Sequence, residues 1–126
     1  MKFLRILLAD DSEDVCALIT LRAAKLGHSV ETVRDGHTLL ARVRASPNDF
    51  DVVVTDNDMP GGIDGLLAIS VLRSDRRFRS MSLILHTNNP DPKLRRQIED
   101  DLDATFALKG FSFEELFRAL DVIAER

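Results

Sequence analysis

Apolar residues fall along this chain in two rhythms. One is the short unbroken run, seen in Val52, Val53, Val54 and Thr55 and again in Phe3 to Ala9, Ser82 to His86 and Ala104 to Leu108, with a more polar version at Ser29 to Val33. Runs of that length without polar alternation predict strands buried on both faces, as in a parallel sheet. The other rhythm is helical. Val15, Leu18, Ile19, Ala23 and Leu26 recur at helical spacing behind a cap at Asp11 or Ser12, and Gly27 is a natural stop. Asp35-Gly36 turns the chain into a helix over about Thr38 to Arg44, with Leu39, Leu40 and Val43 inward, before Pro47 and Asn48 close it. A rather apolar helix spans Leu66 to Leu72, and Arg73 to Ser80 reads as a charged connection. Asn88-Asn89-Pro90 breaks the fourth strand, and Pro92 opens a mostly charged helix over 91–102 whose only large apolar residues are Leu94, Ile98 and Leu102, so it is weakly anchored. The last helix, 112–125, packs through Leu116, Leu120 and Ile123; Ser112 with Glu115 predicts a capping box, and Phe111 with Leu116 a hydrophobic staple.

Five strand runs alternating with five helical runs predict a three-layer α/β domain with a parallel sheet, and 126 residues fit one domain over 1–126. Polar chemistry collects where strands end: Asp10-Asp11 after the first, Asp56 after the third, Thr87 after the fourth and Lys109 after the fifth. With strand order 2-1-3-4-5, the first and third strands are neighbours at the switch point and all five residues line one crevice. Pro60, Gly61 and Gly62 cannot continue the central strand, so Asn57 to Asp64 is expected as an ordered loop over that crevice.

The net charge of −4 and a pI near 5.3 argue against a nucleic-acid surface, and Arg73, Arg76, Arg77 and Arg79 are read as a solvated loop face. Cys16, the single cysteine, rules out an internal disulfide or a cysteine zinc cluster and fits a packing role in a reducing cytosol. The opening apolar stretch is too short for a membrane span and lacks a small-residue cleavage site, so a cytoplasmic protein without membrane contact is expected.

Three carboxylates at one sheet edge repel one another unless a cation neutralises them. Oxygen ligands without His or Cys select Mg²⁺ or Mn²⁺, which keep waters and coordinate phosphate oxygens. Lys109 offers a cation for an anionic group and Thr87 a hydroxyl donor, leaving Asp56 as metal ligand or as nucleophile forming an acyl phosphate. Taken singly, Asp10 or Asp11 is a helix cap, Thr87 a strand-end hydroxyl and Lys109 a solvated cation; their joint placement carries the phosphoryl reading. His28, His37 and His86 are scattered and read as structural. A calcium loop beginning at Asp56 fails, since Pro60 and Leu67 occupy ligand positions. A haloacid-dehalogenase-like phosphohydrolase would place Asp-x-Asp on its first strand with a threonine where Pro60 stands.

As a set, Asp10-Asp11, Asp56 followed by Met59-Pro60 and Asp64-Gly65, Thr87 and Lys109 resemble the receiver domain of bacterial two-component response regulators over the whole chain. The resemblance implies a flavodoxin-like fold and a phosphorylation switch. Asp56 would accept phosphate from a histidine kinase or phosphotransferase; Asp11, Asp56 and the Asp58 carbonyl would hold Mg²⁺ directly, with Asp10 acting through water. Lys109 would pair with the phosphoryl group, Thr87 would move to hydrogen-bond it, and Phe106 would follow, reshaping the surface of the fourth helix, fifth strand and fifth helix for a downstream protein target. Such a module catalyses only its own phosphorylation and dephosphorylation, as a monomer or weak homodimer. Three departures stand out: one extra residue in Gly61-Gly62-Ile63, Asn88 where a small residue is usual, and Gly110 in place of a proline, which predicts a trans, looser loop. They also support a rival reading, a receiver-like scaffold that works without phosphorylation. Phe113 and Phe117 are candidates for a partner or dimer face, with core packing expected for at least one.

Overall fold

The apolar runs pair side by side in the computed structural model, which describes residues 1–126. Strands β1 (Arg5–Ala9), β2 (Ser29–Val33), β3 (Val52–Thr55), β4 (Ser82–Thr87) and β5 (Thr105–Leu108) form one parallel sheet in the order β2-β1-β3-β4-β5. Five helices connect them: α1 (Glu13–Lys25), α2 (Gly36–Ala45), α3 (Gly65–Ser74), α4 (Pro92–Arg96) and α5 (Glu114–Ala124). This is the predicted flavodoxin-like topology.

Strand alternation divides the core in two. Ile6, Leu8, Val52, Val54, Ile84 and Ala107 pack with Cys16 and Ile19 of α1 and with Leu116 and Leu120 of α5. Leu7, Ala9, Val53, Leu83, Leu85 and Phe106 pack with Leu39 and Val43 of α2 and Ile69 and Leu72 of α3. The ladder then runs one step past the strands. Asp10 N–H donates to Val33 O (3.1 Å), Asp56 N–H to Ala9 O (2.8 Å) and Lys109 N–H to Thr87 O (2.9 Å). Three charged residues are therefore fixed in backbone position by the sheet itself.

Several local expectations are corrected. The helix placed over 91–102 is a five-residue α4 followed by a wide π-type turn, Gln97–Asp101, closed by Leu102 N–H on Gln97 O at 3.1 Å. Arg73 is not solvated. Its guanidinium donates to the carbonyls of Phe78, Arg79, Met81, Leu102 and Asp103, clamping the loop before β4 to the loop before β5. Helix α5 begins at Glu114 rather than 112: Phe113 sits at its N-cap with φ 56°, and Glu115 accepts from Leu108 N–H (3.3 Å) instead of closing a capping box. Phe111 is fully exposed, so no staple forms. Leu18 and Leu26 of the first helix face solvent, because the buried stripe of α1 runs through Cys16, Ile19 and Ala23. Helix α2 starts two residues early, at Gly36, because Asp35 caps it through Thr38 N–H at 2.7 Å.

Candidate functional site

Side chains of Asp10 and Asp56 continue the alternation of Leu8 and Val54, which turns both toward the α1 and α5 layer. Lys109 reaches the same place from β5. Its ammonium lies 2.9 Å from Asp10 Oδ2 and 3.4 Å from Asp56 Oδ1. Asp10 is 1% exposed, Asp56 8% and Lys109 9%, so the triad is screened little by solvent. Two carboxylates face one ammonium, and the excess negative charge is what a cation would complete.

Backbone donors steady the carboxylates. Asp10 Oδ1 accepts from Ser12 N–H (2.9 Å), and Asp56 Oδ1 from Asn57 N–H (2.8 Å). Burial pushes the Asp56 carboxyl above the usual range; Lys109 opposes the shift and Asp10 adds to it. For Lys109, burial alone would lower the ammonium, but the Asp10 hydrogen bond and the charges of Asp56 and Asp10 outweigh it and the net direction is up.

Asp11, exposed at the crevice mouth, joins Asp10 and Asp56 in a group whose nearest oxygens all lie within 4.8 Å of one another. Asp10 Oδ2 is buried against the Lys109 ammonium. An all-oxygen set of three carboxylates fits a hard divalent ion. Asp58 is exposed and lies outside this group. Thr87 is buried; its hydroxyl accepts from Asn89 N–H (3.1 Å), so it faces the loop after β4. Phe106 is buried on the opposite side of the sheet, beneath the Arg95 guanidinium of α4 at 5.2 Å.

Two loops frame the crevice. The one after β3 carries the extra residue: Gly61 and Gly62 both have positive φ (94° and 86°), and Gly61 O accepts from His37 Nε2 at 2.7 Å. Ile63 seats on Gly36, where a Cβ would come within 2.5 Å of its Cγ2. The loop after β5 is all trans and opens at Gly110 with φ 56°. Beside it, exposed Leu18, Leu21 and Phe111 form an apolar face rimmed by Arg22 and Lys25. Sequence periodicity missed this face, although Leu18 and Leu21 at three-residue spacing were its signal. Of the two aromatic candidates on the last helix, Phe117 is buried and Phe113 half-buried.

The family model for the response regulator receiver domain matches residues 6–121. The chain belongs to the response regulator receiver family. A gliding motility regulatory protein of Myxococcus xanthus is 32% identical over 95% of this chain and 15% of its own length. The transcriptional regulatory protein TcrA of Mycobacterium tuberculosis is 30% identical over 97% of the chain and 46% of its length. The chain thus spans less than half of these two relatives. It spans 95% of chemotaxis protein CheY-3 of Vibrio cholerae, at 29% identity over 99% of itself. The solved structure of Vibrio cholerae CheY4 shares the fold with a TM-score of 0.83 at 23% identity, covering 97% of this chain and 99% of that one. Receiver domains are signalling modules of phosphorelays and generally bind Mg²⁺ at an acidic cluster such as the one formed by Asp10, Asp11 and Asp56. No helix is long and apolar enough to cross a membrane.

Proposed function

We propose that this receiver accepts a phosphoryl group on Asp56 from a histidine kinase or phosphotransferase and signals to a protein target through the α4, β5 and α5 surface. The observation that carries the reading is the buried Lys109 ammonium shared between Asp10 and Asp56 at the ends of three parallel strands. Asp56 attacks phosphorus: a carboxylate O–P bond forms as the donor's N–P bond breaks, and the departing imidazole takes a proton. Lys109 neutralises charge gathering on the phosphoryl oxygens. Asp10, Asp11, Asp56 and the Asp58 carbonyl would hold Mg²⁺ or Mn²⁺, whose contribution is to screen the carboxylates from the incoming anion. Thr87 exchanges its bond from Asn89 for one donated to the phosphoryl group, and hydrolysis by water returns inorganic phosphate and the free carboxylate.

Switching has a cost that the site can meet in part. A charge-assisted hydrogen bond contributes about 1.5–3 kcal/mol, and inverting a 1:99 population needs about 5.5 kcal/mol. Two new bonds, from Lys109 and Thr87, give a substantial shift without saturating it. Short α4 suits a moving element, since only Leu94 and, in its π-type turn, Ile98 are buried. The apolar face at Leu18, Leu21 and Phe111 offers a protein phosphodonor a landing surface two residues from Lys109. The proposed setting is a cytoplasmic receiver acting alone, as a monomer or weak homodimer, with no nucleic-acid contact of its own.

Intact mass after incubation with acetyl phosphate and Mg²⁺ tests the reading, beside Asp56→Asn and a chelated sample. One added phosphoryl group that needs both Asp56 and the metal is the expected result. No adduct in a sample that still binds Mg²⁺ would make the chain a scaffold; inorganic phosphate released over many turnovers from a small ester would make it a phosphohydrolase.

A further inference from the structure

Phosphoryl chemistry leaves one buried group without a task. His86 lies on β4 with 0% exposure, and neither ring nitrogen has a hydrogen-bond partner in the protein. Unsatisfied buried polar groups are destabilising, so an imidazole in a strand of Leu83, Ile84 and Leu85 calls for a reason. Its aromatic neighbour is Phe113, edge to face, with ring centroids 5.3 Å apart and planes at 77°.

Phe113 is itself held in a costly conformation. Its φ of 56° and ψ of 33° are left-handed, a strained conformation for a residue that carries a side chain. Such a residue persists only where its surroundings over-determine it. What the conformation achieves is closure: Phe113 N–H donates to Lys109 O at 3.1 Å, making Lys109 to Phe113 a single turn. Beyond Phe113 itself, which also packs against the core, little else holds that turn. Gly110 has nothing within 4 Å of where a Cβ would stand, Phe111 is fully exposed, and Ser112 is tied only through its carbonyl to the Arg22 guanidinium. His86 stands opposite Ala107 in the ladder, and Ala107 and Lys109 share one strand face.

We propose that the His86–Phe113 ring contact positions Lys109, by pinning the turn whose first residue carries the ammonium between Asp10 and Asp56. The inference rests on the phosphoryl-transfer reading above. Neither ring touches the reacting atoms, so both are positioning residues. An edge-to-face pair stabilises beyond its buried area, which opposes the backbone strain at Phe113. The imidazole stays neutral because burial, and then the Lys109 charge, disfavour its protonated form; it therefore flanks the ammonium without repelling it.

Phe113→Leu removes the ring but keeps apolar bulk, Phe113→Tyr keeps the ring, and His86→Leu removes the partner. Two readouts are taken on the full chain: the rate constant for phosphorylation by acetyl phosphate at saturating Mg²⁺, and, without any donor, the nitrogen chemical shift and hydrogen-exchange protection of the Lys109 ammonium by NMR at one fixed pH, which report its contact with Asp10 and Asp56. Phe113→Leu and His86→Leu are each expected to slow phosphorylation about tenfold, chiefly in the maximal rate, and to move the Lys109 ammonium signal toward that of a free lysine. The double variant should be no slower than either single one, and Phe113→Tyr should stay within about twofold of the parent on both readouts. Folded Leu variants with an unchanged Lys109 ammonium signal, or losses that simply multiply in the double variant, would overturn the proposal. Absence of an adduct in the parent would strike the phosphoryl-transfer reading instead, and the donor-free Lys109 signal would still decide the positioning.

Discussion

The two loops at the crevice rim are built to opposite standards. The loop between β3 and α3 is tied at both ends and once in the middle: Asn57 O accepts from Gly65 N–H (2.9 Å), Asn57 Oδ1 from Leu66 N–H (3.0 Å), Asp64 Oδ1 from Leu67 N–H (2.8 Å), and Gly61 O from His37. Met59 and Ile63 also pack against the core. The turn between β5 and α5 has one backbone closure, one ring contact, one guanidinium and a single residue, Phe113, packed against the core. The carboxylate that would form the bond is thus held on the rigid rim, while the cation that would answer it stands on the loose one. Rigidity where the bond forms favours preorganisation; looseness where the charge is answered leaves room for a switch, since moving elements are drawn from the least stable parts of a fold.

The sharpest test of the rigid rim is Gly65→Ala. A Cβ there would run into the backbone carbonyl oxygen of Asp56 and lie 2.7 Å from Leu85 Cδ1. Neither a sheet-end carbonyl nor a core leucine can step aside, so overpacking of about 3 kcal/mol is expected, reduced only slightly by the better helix propensity of alanine. The denaturant midpoint should fall without a change in slope. Because the displaced carbonyl belongs to Asp56 itself, Mg²⁺ affinity should fall about tenfold alongside. A variant with parental stability would mean that the loop shifts freely and the contrast between the rims is wrong.

A smaller effect is expected from pH on the loose rim. His86 titrates at about 3 instead of 6.5, owing first to burial and then to the Lys109 charge. Between those values the unfolded chain binds the proton and the folded one does not. The contribution is therefore fully present above pH 6.5 and is lost as pH falls toward 3, by at most about 1.4 kcal/mol per pH unit. Asp56, with its raised carboxyl, acts in the opposite direction on acidification, so the difference between parent and His86→Leu is the quantity to measure. From pH 7 to pH 5 the parent should lose about 2 kcal/mol relative to the variant. Parallel curves would mean that the imidazole finds a proton partner, and that the ring pair is softer than its geometry.

The contrast between the rims also marks what the sequence could convey. Val52 to Thr55 spells a doubly buried strand, and Asp56 stands where that signal stops; the same logic finds Asp10 and Lys109, because a sheet's ends are written locally. The start of α5 is not written locally. Ser112 and Glu115 have capping-box spacing, yet Glu115 answers the Leu108 amide, and Phe113 takes the cap because its ring meets His86, 27 positions back along the chain. Arg73 illustrates the same limit: its five carbonyl partners lie on two loops that only the fold brings together. Its one visible hint is a charge at the end of the apolar helix Leu66 to Leu72. Helical periodicity likewise placed Leu18 inside, because spacing defines a stripe without defining how wide the covering sheet is.

Gly110→Ala should do least, and for an instructive reason. The residue has φ 56°, so an alanine would bear left-handed strain of about 1–2 kcal/mol. Nothing lies within 4 Å of the new methyl group, so no packing cost is added. Replacing glycine also removes freedom from the unfolded chain, which returns about 0.4–1 kcal/mol. The net loss should stay near 1 kcal/mol or below, about a third of the Gly65→Ala effect, as read by urea unfolding of both variants together. The two substitutions add the same atom to the same residue type at the two rims of one crevice. Equal losses would show that the rim of Asp56 gives way to the added methyl group; a threefold gap would show that packing governs the rim of Asp56 and conformation alone governs the rim of Lys109.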